Sequence, residues 1–201
     1  MTVLSLVFAM IIGMAFGLMN VGHNRLLNFI GTVYVDAVRG VPLIVLAYFI
    51  YFGMPQGIHS LGFADFRMGP LLAGTITLSM NCGAYMAEII RAGIQSVDRG
   101  QMEAGRSLGL SYSAGMALIV VPQAIRTMIP SIINQFIITL KDSSILSVIA
   151  FPELVNVGKT IMGNTMKCLE TWAIIGAMYM AVIITLSKVS KKIERRVNRG
   201  R

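Results

Sequence analysis

Two sets of polar side chains interrupt otherwise apolar stretches of this sequence, at spacings that could do chemistry. Asn81, Tyr85 and Glu88 recur at i, i+4 and i+7, one face of a helix. Gln135 and Asp142 are seven apart and also share a face, with Lys141 beside the carboxylate. Asp36 and Arg39 break a third stretch just before Gly40 and Pro42. Polar groups at such depth either line the path of a polar solute or neutralise one another. Lys141 could pair with Asp142 or Asp36, and Glu88 with Arg91 at i+3. Asp36, Arg39, Glu88, Arg91 and Lys141 are therefore read as structural ion-pair residues. Asn81, Tyr85, Gln135 and Asp142 are read as substrate contacts. Gln135 stands out, because it is neutral, deep and flanked by Asn134, and an amide both donates and accepts.

The elements that carry these residues belong to a membrane protein. Of 201 residues, 55% are hydrophobic and only 13% charged, with a mean hydropathy of +0.72. A soluble domain carries about a quarter charged residues. Five spans are expected, at about Val3–Val21, Leu27–Tyr51, Met68–Arg91, Pro130–Phe151 and Thr171–Leu186. The first lacks a basic leader and a small-x-small cleavage site, so it is expected to stay in place as a span. Its Gly13 and Gly17 form a GxxxG pair, which either brings two helices close or is glycine merely tolerated in a membrane helix. The second span holds Asp36, Arg39, Gly40 and Pro42, so it includes polar residues or begins as a broken helix there. Pro122 and Pro130 bracket a short piece expected to be a separate surface helix. Cys82 falls in a helix, and Cys168 in a loop with Glu153, Lys159, Lys167 and Glu170.

The formal charge of +8 comes from 17 Lys and Arg against 9 Asp and Glu. These cations gather at span ends and in the tail, not on an aromatic-interleaved stripe, so nucleic acid is not expected as a partner. With five spans, one side carries Arg25, Arg99, Arg106, Lys188, Lys191, Lys192, Arg195, Arg196, Arg199 and Arg201, and the other Arg67, Lys159 and Lys167. Lys/Arg excess marks the cytoplasm. The N-terminus is thus expected outside, and the Glu103 segment and basic tail inside. The tail is read as a topology anchor in the bilayer rather than a lipid-recognition site.

Enzyme chemistry finds no foothold. Val157–Thr160 reads "VGKT", but Glu153 stands where a phosphate loop needs glycine, so this chain is not expected to bind ATP. There is no HExxH or Cys-x-x-Cys. His23 and His59 fall on opposite sides, and two Cys and two His at these separations make no metal site.

The Glu103 segment carries a spaced motif. Glu103-Ala104-Gly105, three residues, Gly109, nine residues, then Ile119-Val120-Val121-Pro122 resembles the signature loop of importer-type ABC transporter permeases, with Gly105 for the second Ala and Val121 for Leu. Asp36–Val45, Asn81–Gln101 and Leu140–Ile149 resemble the polar amino acid permeases of that group, the histidine, glutamine and arginine permeases. Here Val41 replaces Thr and Leu46 a frequent Gln. The resemblance implies a single all-α permease domain over residues 1–201, of the type I importer fold, in a bacterial inner membrane. Residues 99–122 would be its cytoplasmic coupling loop, with Gly100, Glu103, Ala104, Gly105 and Gly109 contacting the ATPase. Gly100 and Gly109 would let it pivot, and Ala104 and Gly105 would let its backbone approach the partner. It also implies two ATPase subunits that bind ATP and Mg, a second permease chain and an external substrate-binding protein, with no cofactor in this chain. Permeases for cationic amino acids are expected to carry Glu where Gln135 stands, so a glutamine-like substrate is expected. The alternatives are a quaternary amine or other organic ion, or a non-transporting scaffold or sensor.

Overall fold

The computed structural model describes residues 1–63 and 65–198, and all regular structure among them is helical. Helix α1, Thr2–Val21, is an uninterrupted apolar run that stops at Gly22, whose backbone is extended. Asn24 opens α2, Arg25–Gly40, by accepting the Leu26 and Leu27 N–H groups at 2.9 and 3.3 Å. Pro42 ends α2, since the residue before proline is driven out of the helical region, and Val41 sits at φ −103°, ψ 131°. The chain then resumes as α3, Leu43–Tyr48, a single π turn at Phe49–Gly53, and α4, Met54–Ser60.

Helix α5, Pro70–Gln95, is the axis of the bundle: 15 of its 26 residues are buried. Its small hydroxyl residues bond back along their own helix. Thr77 donates to the Ala73 carbonyl at 2.7 Å and Ser79 to that of Thr75 at 2.6 Å, which lets them lie in an apolar interior. α1 packs along it in the same direction. Ser5 donates to the Thr75 carbonyl at 3.4 Å, and further along Gly13 faces Gly83 and Met86 while Gly17 faces Ala87 and Ile90. A Cβ on Gly17 would come within 2.9 Å of the Ala87 carbonyl oxygen, so the GxxxG pair is what allows this approach.

Parallel α1 and α5 require the chain between them to cross back once. The segment from Arg25 to Ser60 is therefore one crossing, broken at Val41–Pro42, as the polar interruption in the sequence implies. Helices α6, Arg99–Ser107, and α7, Tyr112–Gly115, follow α5. A π turn at Met116–Val120 leads into α8, Val121–Asp142, and then into a 3₁₀ segment, Ser143–Ile149. α8 runs antiparallel to α5: Met128 packs at Gly93, Gln135 and Thr139 lie beside Cys82, and Leu146 packs at Gly74. Among the described residues, four segments are long and apolar enough to cross a membrane: Thr2–Val21, Leu43–Ser60, Tyr112–Ile149 and Cys168–Arg195. α5, about 39 Å long at 1.5 Å per residue, is the fifth crossing. Enclosed by its neighbours, it is free to carry polar residues.

Three expectations from the sequence need correction. The Pro122–Pro130 piece is not a separate helix, because the chain stays helical from Tyr112 to Ile149. The π turn closes with the Val121 N–H on the Met116 carbonyl, which widens the helix just before Pro122, and Pro130 is accommodated inside α8. The same device precedes Pro55, where the Met54 N–H bonds the Phe49 carbonyl. The loop expected around Lys159 is mostly α9, Leu154–Thr165, opened by the Glu153 carboxylate, which accepts the Val155 and Asn156 N–H groups at 2.9 and 2.6 Å. Cys168 starts α10, Cys168–Asn198, which runs well past the expected end at Leu186. Arg199 and Arg201 of the basic tail lie outside the described residues.

Candidate functional site

The chemistry-bearing residues separate into two neighbourhoods around α5, one with α8 and one with α2. The first lies between α5 and α8. Gln135 is buried, with 6% of its surface exposed, and its Nε2 has no hydrogen-bond partner. Its backbone carbonyl accepts the Thr139 hydroxyl at 2.9 Å, and both side chains flank Cys82. Ile132 and Phe136 pack against Met86, Cys82 and Ala9, so apolar groups surround the amide. Asp142 closes the same face one turn beyond Thr139 and is half-buried, while Asn81 is buried on α5. An unengaged amide in dry surroundings carries a penalty of about 1–3 kcal/mol unless something binds it.

The second neighbourhood lies between α2 and α5. Arg91 donates to both oxygens of Glu88, with Nε at 3.1 Å, and its Nη1 donates to Gln95 Oε1 at 2.8 Å. Arg39 reaches across from α2 to within 3.8 Å of Glu88, and its guanidinium lies 5.1 Å from the centre of the Tyr85 ring. Tyr85 and Glu88 thus belong with α2 and not with Gln135. Cys82, the residue that Gln135 meets, is only three residues from Tyr85, but the Tyr85 ring and the Glu88 carboxylate are both taken up by Arg39 of α2. Asp36 and Lys141, expected as ion-pair members, make no ion pair within 4.0 Å among the described residues. Arg39 is turned to Glu88, and Lys141 is exposed on a side of α8 that adjacent residues do not share.

The Glu103 segment forms a short helix at the end of α5. Asp98 caps it by accepting the Gly100 N–H at 2.7 Å, which places Gly100 inside the first turn and not at a hinge. Gly109 closes the other end at φ +88°, a conformation that favours glycine. Glu103, Ala104 and Arg106 are exposed, whereas Gly105 is buried, and a Cβ there would overlap Ile119. The smallness of Gly105 leaves room for the Ile119 side chain within the chain. It also explains the long spacing of the motif, whose two halves touch at Gly105 and Ile119. Ile119 to Pro122 belong to the long helix, so the projecting part of residues 99–122 is α6 with the turn after it.

Sequence reasoning passed over several residues. Asn20, buried near the end of α1, has an Oδ1 without a partner. Gln95 is the second acceptor for Arg91, legible only from its i+4 spacing. Tyr34 donates to the Met80 carbonyl at 2.8 Å and stacks on Phe16, tying α2 to α5 and α1. Tyr179 donates to Glu153 at 3.2 Å, joining α10 to the start of α9. No group of three or more His, Cys, Asp or Glu side chains that could hold a metal occurs among the described residues.

Residues 6–199 match the family described as binding-protein-dependent transport system inner membrane component. The chain is 34% identical over 196 residues to the glutamine transport system permease protein of Escherichia coli (strain K12), covering 98% of this chain and 87% of the other. It is 35% identical over 199 residues to the probable glutamine ABC transporter permease protein of Bacillus subtilis (strain 168), covering 99% and 89%. The fold superposes on an amino acid ABC transporter crystallised with histidines at a TM-score of 0.88 and 36% identity, over 97% of this chain and 88% of that one. With its helical bundle, its projecting α6 and this match along nearly its whole length, the chain belongs to the family of inner membrane components of binding-protein-dependent transport systems.

Proposed function

We propose that this chain is the permease subunit of an ATP-driven importer for a polar amino acid with an uncharged, glutamine-like side chain. One observation carries the substrate reading: the buried Gln135 amide with its Nε2 unengaged. Two such chains, identical or different, would enclose the path. Two ATPase subunits binding ATP and Mg would grip the α6 helices through Glu103, Ala104 and Gly109, and a binding protein would deliver substrate at the opposite face. The N-terminus would lie outside and α6 in the cytoplasm. Nucleotide-driven closure would shift the population between two packings and so switch access to the site. Substrate would meet Gln135, with Asp142 as a neighbour in the same α5–α8 region and Asn81 as a further contact on α5.

A second reading, a cationic amino acid, is favoured by one feature. Asp142 is half-buried without an ion pair among the described residues, and a buried carboxylate attracts a cation. Competition for uptake in the reconstituted complex decides between them, using a binding protein that accepts both substrate types. Glutamine should outcompete arginine, and Gln135→Glu should move the preference towards arginine by at least about tenfold, the worth of one charge-assisted hydrogen bond. Arginine winning in the unmutated transporter would establish the cationic reading instead.

A further inference from the structure

Beneath α2 lies a cavity that the substrate reading above does not use. It encloses about 340 Å³ between α1, α2 and α5, within the size range of small-ligand sites. Asn28, Thr32, Asp36 and Arg39 line it along α2, the last three exposed at its open mouth, while Leu26, Phe29, Ile30 and Val33 lie exposed on the helix's other sides. α2 buries Gly31, Val35 and Val38 and leaves Thr32, Asp36 and Arg39 at the mouth of the cavity, and polar groups kept at membrane depth mark a wet surface. Asn20 lines the far wall, buried and with its Oδ1 unpartnered.

The charges in this cavity leave one of each sign available. Glu88 and Arg91 satisfy each other, with the remaining Arg91 donor on Gln95. Arg39 is only loosely held, 3.8 Å from Glu88. Asp36, one turn earlier on the same wall, has no ion pair among the described residues. Residues at i and i+3 stand about 5–6 Å apart, close enough to bracket the adjacent carboxylate and ammonium of an amino acid. An anionic headgroup would meet Asp36 and Glu88, and a bare cation would meet Arg39 and Arg91. A zwitterion matches both.

We propose that the cavity between α1, α2 and α5 is a second amino-acid site that holds the zwitterionic end of the molecule, its carboxylate on Arg39 and its ammonium on Asp36. The Asn28 side chain, whose Nδ2 is held by the Asn20 carbonyl at 2.8 Å, and the Thr32 hydroxyl then border the amino acid's own side chain without charge. The site sits on the last turns of α5, just before Asp98 and α6, so an amino acid there rests beside the coupling helix. The assignment rests on the proposed amino-acid transport, but it depends on the shared α-carbon end and not on which side chain is carried.

Glycine is therefore the probe, because it is that end alone. Equilibrium binding of labelled glycine to the intact complex in lipid nanodiscs, without binding protein, should be saturable. Glycinamide and acetate, each half of the zwitterion, should bind at least tenfold more weakly. Asp36→Asn and Arg39→Gln should each weaken glycine at least tenfold. Asp36→Asn leaves the Glu88 pairs intact, so it reports even where Arg39→Gln disturbs folding. Absence of glycine binding, or equal binding in Asp36→Asn, overturns the site. Glutamine uptake in the same preparation separates the two proposals. Uptake without Asp36-dependent glycine binding overturns the second site alone. Asp36-dependent binding without uptake of any polar amino acid overturns the transport reading alone.

Discussion

Gln135 shows how a single side chain can be costly to the fold and still be retained. A buried amide with an unengaged Nε2 destabilises by about 1–3 kcal/mol relative to an apolar residue of the same shape. Gln135→Met removes that cost while keeping the volume beside Cys82 and Phe136. The thermal midpoint of the variant complex should hold or rise, while glutamine uptake falls at least about tenfold, the loss of one hydrogen bond to substrate. A fall in midpoint with uptake unchanged would make the amide structural. The residue was legible because an amide in an apolar run is rare. Its neighbours were not. Which face of α5 meets α8 and which meets α2 is decided by packing over long sequence separation, which leaves no periodic trace, so the sequence does not separate Tyr85, which lies against Arg39, from Gln135.

At the scale of elements, α6 owes its aim to two glycines with different tasks. Gly105 permits contact with Ile119, and Gly109 supplies the left-handed residue that turns the chain back towards α7. A β-branched residue at φ +88° is strained by roughly 1–2 kcal/mol or more. Gly109→Val should leave α5 and α8 seated but misdirect α6. Membrane insertion should be normal, and ATP hydrolysis should lose its stimulation by substrate-loaded binding protein, with uptake down at least about tenfold. Full stimulation in Gly109→Val would remove Gly109 from the coupling assignment. Both glycines stood in the sequence motif, as did the break at Pro42. In the run through Pro122 and Pro130 proline reads locally as a terminator, yet the chain stays helical there. In a bundle, neighbouring helices and a π turn satisfy what proline leaves free, and nothing local in the sequence announces that.

The whole molecule has two distinct ends. At one, Met1 meets Gly74 and Leu146, and Lys159 donates to Ser147 at 2.9 Å. At the other, His23 packs edge-on against Tyr112, and the ends of α1 and α5 gather around α6. The second end holds Arg25, Arg99 and Arg106, and α10 is about 46 Å long, enough to carry Lys188, Lys191 and Lys192 to that same side. The first end holds Arg67, Lys159 and Lys167. Moving a cation-rich end across a membrane is disfavoured, so the α6 end should face the cytoplasm. The two native cysteines make a direct test, since Cys82 is fully buried and Cys168 is exposed at the start of α10. A membrane-impermeant maleimide should modify Cys168 in intact cells. In Cys168→Ser with Lys191→Cys, the same reagent should react only after permeabilisation. Labelling of position 191 from outside in that variant, with Cys168 of the unmutated protein unreactive in intact cells, would invert the molecule, place α6 away from any cytoplasmic ATPase and leave the coupling assignment without a partner.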